Sequence, residues 1–147
     1  MPDRILFDLN VMLDVLLERA PHVIDSAPLV DRVAKGEFIG VLSGASIDTM
    51  AYLMSGVHTP ARINGIIRFV RLKFDIAPIS HAIIDQALSA GWDDLEDAIV
   101  YYSGLAAGCT TLVTRNVKDF RKGIDSNIRV CTPREFRSSG SAAPSSR

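Results

Sequence analysis

The chain has few of the features that fix a fold or a function on their own. Its 147 residues include only two cysteines, Cys109 and Cys131, far apart and without a histidine at ligand spacing. That argues against a zinc site and removes any disulfide framework, so both read as small buried hydrophobes. Neither sign of charge dominates: 16 basic residues against 17 acidic give a formal net charge of -1, and composition does not announce a nucleic-acid binder. No apolar run approaches the ~20 residues needed to span a bilayer. Met1-Pro2-Asp3-Arg4 leads into a strand-like run and not into a signal segment. A soluble cytoplasmic protein with no membrane partner is the expectation. Internal repeats are lacking, and His22, His58 and His81 stand at helix starts without acidic or serine companions, so none makes a triad.

What is present is a hydrophobic fraction of 48%, enough for one core without a disulfide or metal staple. Ile5-Leu6-Phe7 is apolar throughout, as a strand buried on both faces must be, and it ends abruptly in Asp8. Val11, Leu13, Val15, Leu16 and Leu17 then follow helical spacing up to Ala20-Pro21. A second helix is predicted over 22–34 and a strand over 38–42. Ser46 is a plausible cap for a helix running to Met54, and Thr59-Pro60 opens a helix that carries Arg62, Arg68, Arg71 and Lys73. Ile76 to Ile79 is a short strand that Pro78 confines to a sheet edge or strand end, after which Ser80 caps a helix to Ala90. Gly91 to Asp94 turn into an apolar helix over 95–107, closed by Gly108. Strands at 111–114 and 128–130 flank a loop over 115–123, and Thr132-Pro133 starts one last helical turn.

Strands separated by one or two helices imply parallel neighbours with helical crossovers. The expected fold class is α/β: three α/β/α layers around a mainly parallel sheet of four to five strands. Residues 1–137 form the domain. Residues 138–147, a Ser/Ala/Gly-rich stretch, bury too little apolar surface to order and form a disordered tail.

In such a sheet the strand ends gather on one edge. The polar residues that meet there are Asp8 and Asn10, Ser43 with Asp48 and Thr49, then Asp93, Asp94, Glu96 and Asp97, and finally Thr114, Asn116 and Asp119. Carboxylates so crowded repel one another unless a cation neutralises them, and Mg²⁺ or Mn²⁺ is the hard ion such oxygens select. Such an ion suits hydrolysis of a phosphodiester by activated water.

Three stretches carry a resemblance: Leu6-Phe7-Asp8-Leu9-Asn10-Val11-Met12-Leu13-Asp14, Asp94-Leu95-Glu96-Asp97-Ala98, and Leu112-Val113-Thr114-Arg115-Asn116-Val117-Lys118-Asp119-Phe120. Together, in this order, they resemble the PIN domain, a fold of metal-dependent ribonucleases that includes toxins of bacterial and archaeal toxin–antitoxin pairs. The resemblance covers nearly all of the chain before Ser138. It implies that Asp8 and Asp97 are the principal metal ligands and that Asp119 joins them in the catalytic set. It further implies that Thr114, Arg115, Asn116 and Lys118 contact or orient the substrate and that Asn10 supports Asp8 from behind. PIN domains often carry a glutamate at the start of the helix after the second strand. Here that position falls on Thr49 or on the shorter acid Asp48, which leaves the acid set one member short. The partners implied are an RNA substrate, a small antitoxin and a second copy in a homodimer, for which the apolar helices over 59–88 are the expected interface.

Each residue also has a plain structural reading. Asp8 is well placed as a helix N-cap, and Asp48 and Asp97 as first-turn acids that complement the helix dipole. Asp119 suits a turn before Phe120, and the arginines of the fourth helix suit a solvated face. Two other functions compete. One is a PIN-fold module that binds RNA or protein without cleaving. The other is a haloacid-dehalogenase-like phosphatase, weakened because Asn10 and Val11 stand where those enzymes need aspartate and glycine.

Overall fold

A computed structural model describes residues 2–120 and 128–139. The elements in chain order are β1 (Arg4–Phe7), α1 (Leu9–Leu16), α2 (Val23–Ala34), β2 (Ile39–Ser43), α3 (Gly44–Met54), α4 (Pro60–Lys73), β3 (Asp75–Ala77), α5 (His81–Ala90), α6 (Leu95–Ala106), β4 (Thr111–Val113), α7 (Val117–Phe120), β5 (Arg129–Cys131) and α8 (Pro133–Ser139). All strand pairs are parallel, in the order β3-β2-β1-β4-β5, which puts β1 at the centre and β3 at an edge, where Pro78 ends it. The expected three-layer α/β/α fold is the observed one, with five strands.

The alternation of side chains along β1 shows why both faces are covered. Ile5 and Phe7 pack with Val11, Leu13, Leu29, Met50, Val70 and Phe136 on one side. Leu6 faces Tyr101, Cys109, Leu112, Phe120 and Val130 on the other. Both cysteines are buried, as their isolation in the sequence implied, and burial pushes the Cys109 thiol up to about 12, so it stays protonated.

Most helix starts follow the local chemistry. Thr59 Oγ1 accepts from Arg62 N, Ser80 Oγ from Ile83 N, and Asp94 Oδ1 from Asp97 N. Thr132 and Glu135 form a reciprocal capping box, since each side chain accepts from the other's backbone N–H. Gly91 closes α5 in the left-handed region at φ 69°.

Three boundaries depart from the sequence reading. Ser43, not Ser46, caps α3, and the helix leaves β2 without an intervening loop. Gly44 permits this, because a Cβ there would stand 3.2 Å from the Ala77 carbonyl oxygen. The segment after Thr114 holds the short helix α7 where a loop was expected; residues 121–127 of that segment lie outside the described residues. Helix α8 runs on to Ser139, while residues 140–147 of the expected tail lie outside the described residues.

One close approach sets the position of α6. A Cβ at Gly104 would collide with the Leu6 side chain, which is fully buried and has nowhere to move. The helix therefore rests directly on β1. Gly104→Ala should lower the unfolding free energy by about 1–3 kcal/mol through overpacking, measured by urea denaturation. A gain in stability, the usual result of Gly→Ala inside a helix, would show that α6 does not need this contact.

Candidate active site

The strand order reverses between β1 and β4, the point at which open parallel sheets bind ligands beyond their carboxyl ends. Asp8 directly follows β1, and Thr114 directly follows β4. Asp8 occupies the N-cap position of α1 with extended backbone, but its carboxylate makes no capping hydrogen bond. Thr114 Oγ1 instead donates to Asp8 Oδ2 at 2.9 Å and accepts from Asn116 N at 3.0 Å. The Asp8 N–H donates to the Val113 carbonyl at 3.0 Å. Asp8 is 7% exposed and Thr114 fully buried. Burial pushes the Asp8 carboxyl above the usual carboxylate range, against the pull of the Thr114 hydrogen bond and the Arg115 guanidinium.

Asp97 sits in the first turn of α6, half-buried, and its carboxyl is pushed up to about 7. Burial is the largest cause, followed by the negative charges of Asp94, Asp8, Asp119 and Glu96. Acids from the end of β1, the start of α6 and α7 thus act on one group. A cavity of about 300 Å³ opens beside them, lined by Trp92, Asp93, Asp94, Asp97 and Asp119.

The donor set fits a hard cation. Among the described residues no three His, Cys, Asp or Glu side chains stand grouped as ready ligands. Mg²⁺ asks for less: one or two carboxylates, with water filling the remaining positions. Asp8 and Asp97 are two carboxylates that could serve; burial, the largest cause, pushes both carboxyls up, and the neighbouring acids add to it.

The other expected residues divide clearly. Asp119 is half-buried, lines the cavity and acts on Asp97. Asn116 and Lys118 are exposed beside it on the β4–α7 segment. Asn10 makes no side-chain hydrogen bond to Asp8 among the described residues; its backbone carbonyl accepts from Arg19 Nη2 at 3.3 Å, and Thr114 supplies the support expected of Asn10. Asp48 is exposed and lies apart, in a groove between α3 and α4 that also holds Arg68 and Arg71. Thr49 turns its hydroxyl back to the Ala45 carbonyl. Arg115 does not reach into the acidic cavity: its Nε lies 2.8 Å from Asp14 Oδ2.

Asp93 and Asp94, expected at this edge, line the cavity, and Trp92 lines it without having been named for it; Asp14, within the first motif, was given no role of its own. For Asp14 the signal was available: it is an acid in a helix whose neighbours Val11, Met12 and Leu13 are all apolar and buried, and such an acid needs an internal partner.

Residues 4–118 match the family model of the PIN domain. A comparison with curated proteins returns no match. Several solved structures share the architecture. VapBC2 from Rickettsia felis, bound to a DNA fragment from its promoter, aligns with TM-score 0.65 at 14% identity, over 86% of this chain and 96% of that one. A toxin-antitoxin complex from Klebsiella pneumoniae aligns with TM-score 0.64 at 23% identity, over 87% and 96%. FitAcB from Neisseria gonorrhoeae gives 0.64 at 18%, over 88% and 97%. At these identities the structural likeness establishes the fold.

The raised carboxyls make metal-free stability depend on pH. Between an unfolded value near the ordinary 3.8 of an aspartate and a folded value of about 7, Asp97 holds more proton in the native state than in the unfolded chain. Stability is therefore greatest below that window and falls as pH rises through it. In EDTA, the Tm should drop between pH 5 and pH 8, and Asp97→Asn should flatten the fall, with a remainder from Asp8. A wild-type Tm that is level across this range, or that rises, would contradict the crowding of these acids.

Proposed function

The chain belongs to the PIN-domain family, and on that footing we propose that it is a divalent-metal-dependent endoribonuclease, the toxin of a toxin–antitoxin pair. The observation that supports this reading is that Asp97 and Asp119 line one cavity and that Asp8, which closes β1 at the switch point, acts on Asp97, whose carboxyl is pushed up to about 7 by burial and by the acids around it. Asp8 and Asp97 would hold Mg²⁺ or Mn²⁺. When bound, such an ion supplies an activated water and neutralises charge on the phosphate.

The chain's own residues do the rest. Thr114 fixes one oxygen of Asp8, leaving Oδ1 unengaged by that bond, and the amide of Asn116 fixes Thr114 in turn. Asp119 adds acceptor capacity at the cavity wall. The exposed side chains of Asn116 and Lys118 are placed to meet a phosphate or sugar of the RNA. Arg115 contributes its charge to Asp8 from within its pair with Asp14.

The solved toxin–antitoxin complexes of the same fold support an antitoxin partner. Exposed apolar side chains at Phe69, Leu72 and Leu88 support self-association across the expected helices. Among the described residues no helix is long and apolar enough to cross a membrane. The separation of Asp48 from the other acids favours a second reading, a PIN-fold module that binds RNA without cutting it.

Cleavage of structured RNA with Mg²⁺ or Mn²⁺, stopped by EDTA, decides between the two. Asp8→Asn and Asp97→Asn should each slow cleavage by ~100-fold or more, the scale of several kcal/mol of lost charge stabilisation. Retained RNA binding with no metal-dependent cleavage supports the binding module. Variants that cut as fast as the wild type would remove the chemistry from this site.

A further inference from the structure

Behind Asp8 lies a second acid that the proposed chemistry does not use. Asp14 is fully buried in α1, and two guanidinium groups close on it. Arg19 Nε stands 2.9 Å from Oδ1, Arg115 Nε 2.8 Å from Oδ2, and Arg115 Nη2 donates to Oδ1 at 3.3 Å. The two Nε contacts are short, yet neither meets hydrogen-bond alignment, so the attraction through them is mainly Coulombic. On its far edge, Arg115 Nη1 lies 3.4 Å from His22 Nε2. A guanidinium only donates, so as a hydrogen bond this contact needs that ring nitrogen bare.

The position of Arg115 in the chain makes this pairing consequential. It directly follows Thr114, whose hydroxyl is bonded to Asp8, and its charge acts on the Asp8 carboxyl. The charge of one arginine therefore acts on two buried or nearly buried carboxylates, and the guanidinium is in contact with only one of them, Asp14. A guanidinium on Asp8 would be a strong, two-pronged contact. It would also neutralise the acid and cover the oxygens that a cation requires.

We propose that Asp14 is a positioning residue that sequesters Arg115, keeping the guanidinium off Asp8 so that the Asp8 carboxylate stays available to a divalent cation. The arrangement lets a basic residue sit next to Thr114 in the acidic site without filling it. Arg19 on the opposite oxygen holds the Asp14 carboxylate in place, and its Nη2 also ties down the Asn10 carbonyl in the first turn of α1. This inference rests on the metal-site reading proposed above.

Mn²⁺ binding to the full-length protein, followed by the electron paramagnetic resonance signal of the free ion, tests it without reference to activity. Arg115→Gln should bind Mn²⁺ at least as tightly as the wild type, because it removes a positive charge that acts on Asp8. Asp14→Asn should bind about tenfold or more weakly, because the released Arg115 moves onto Asp8. The double variant Asp14→Asn/Arg115→Gln should recover the affinity of Arg115→Gln alone. A merely structural role for Asp14 predicts no recovery, and a double variant as weak as Asp14→Asn overturns the proposal. If circular dichroism shows that Asp14→Asn does not fold, Arg115→Gln decides: a tenfold loss in that variant overturns sequestration, and unchanged or tighter binding supports it. Asp8→Asn and Asp97→Asn serve as controls for the site itself. If neither weakens Mn²⁺ binding, the metal-site reading fails and this inference falls with it, an outcome distinct from failure of the double variant.

Discussion

The hydrogen bond from Thr114 to Asp8 joins the ends of two neighbouring parallel strands at the place where the sheet reverses its order, and the acidic edge is organised around it. A buried carboxylate is costly unless its charge is met, and the Thr114 hydroxyl with the Leu9 backbone N–H meets only part of it. The remainder is shared out at longer range. Arg115 favours the Asp8 carboxylate from the side of α1, while the negative charges of Asp97 and Glu96 on α6 act against it. Helix α6 also packs on the core, where Gly104 in its last turn lies against Leu6 of β1, while its first turn carries Glu96 and Asp97. Core packing and site electrostatics are therefore one problem here, solved by the same helix.

The elements were legible in the sequence because their signals are local. Strands buried on both faces read as unbroken apolar runs, and β1, β2 and β4 do so. Caps at Thr59, Ser80 and Asp94 announce their helices within the few residues that make the bond. Where the sequence reading slipped, the deciding contact was distant. Ser43 looked like the end of a strand before a loop, but the space left by Gly44 beside the Ala77 carbonyl lets the helix begin at once, and residue 77 carries no local sign of that.

The same distinction separates the site residues. Asp8, Asp97 and Asp119 could be named from strand ends and helix starts, because topology alone delivers such positions to one edge. The partners of Arg115 could not. Its basic side chain, in a loop beside a catalytic motif, invited a role in holding a polyanion, whereas its ion pair reaches Asp14, 101 positions away along the chain. Asp48, whose plain reading was a first-turn helix acid, lies exposed in a groove whose lining also includes Arg68 and Arg71. Spacing identifies which end of an element a residue occupies; it does not say which face a charge will find its counter-ion on.

Taken together, the charges fall on two sides of Asp8. Asp93, Asp94, Glu96, Asp97 and Asp119 lie toward α6 and α7, while Arg19 and Arg115 lie toward α1, held there by a single acid. With a net charge of only -1, the chain as a whole neither attracts nor repels a polyanion strongly. On the proposed function, affinity for a phosphodiester is generated locally, and the acidic wall by itself would repel it. A divalent cation reverses that sign at one point and leaves the wall acidic elsewhere. Binding of a polyanion and binding of the ion are on this account the same event, and a basic residue free to settle on Asp8 would abolish both. On the inference drawn above, Asp14, the most deeply buried charged side chain among the described residues, holds Arg115 away from that carboxylate.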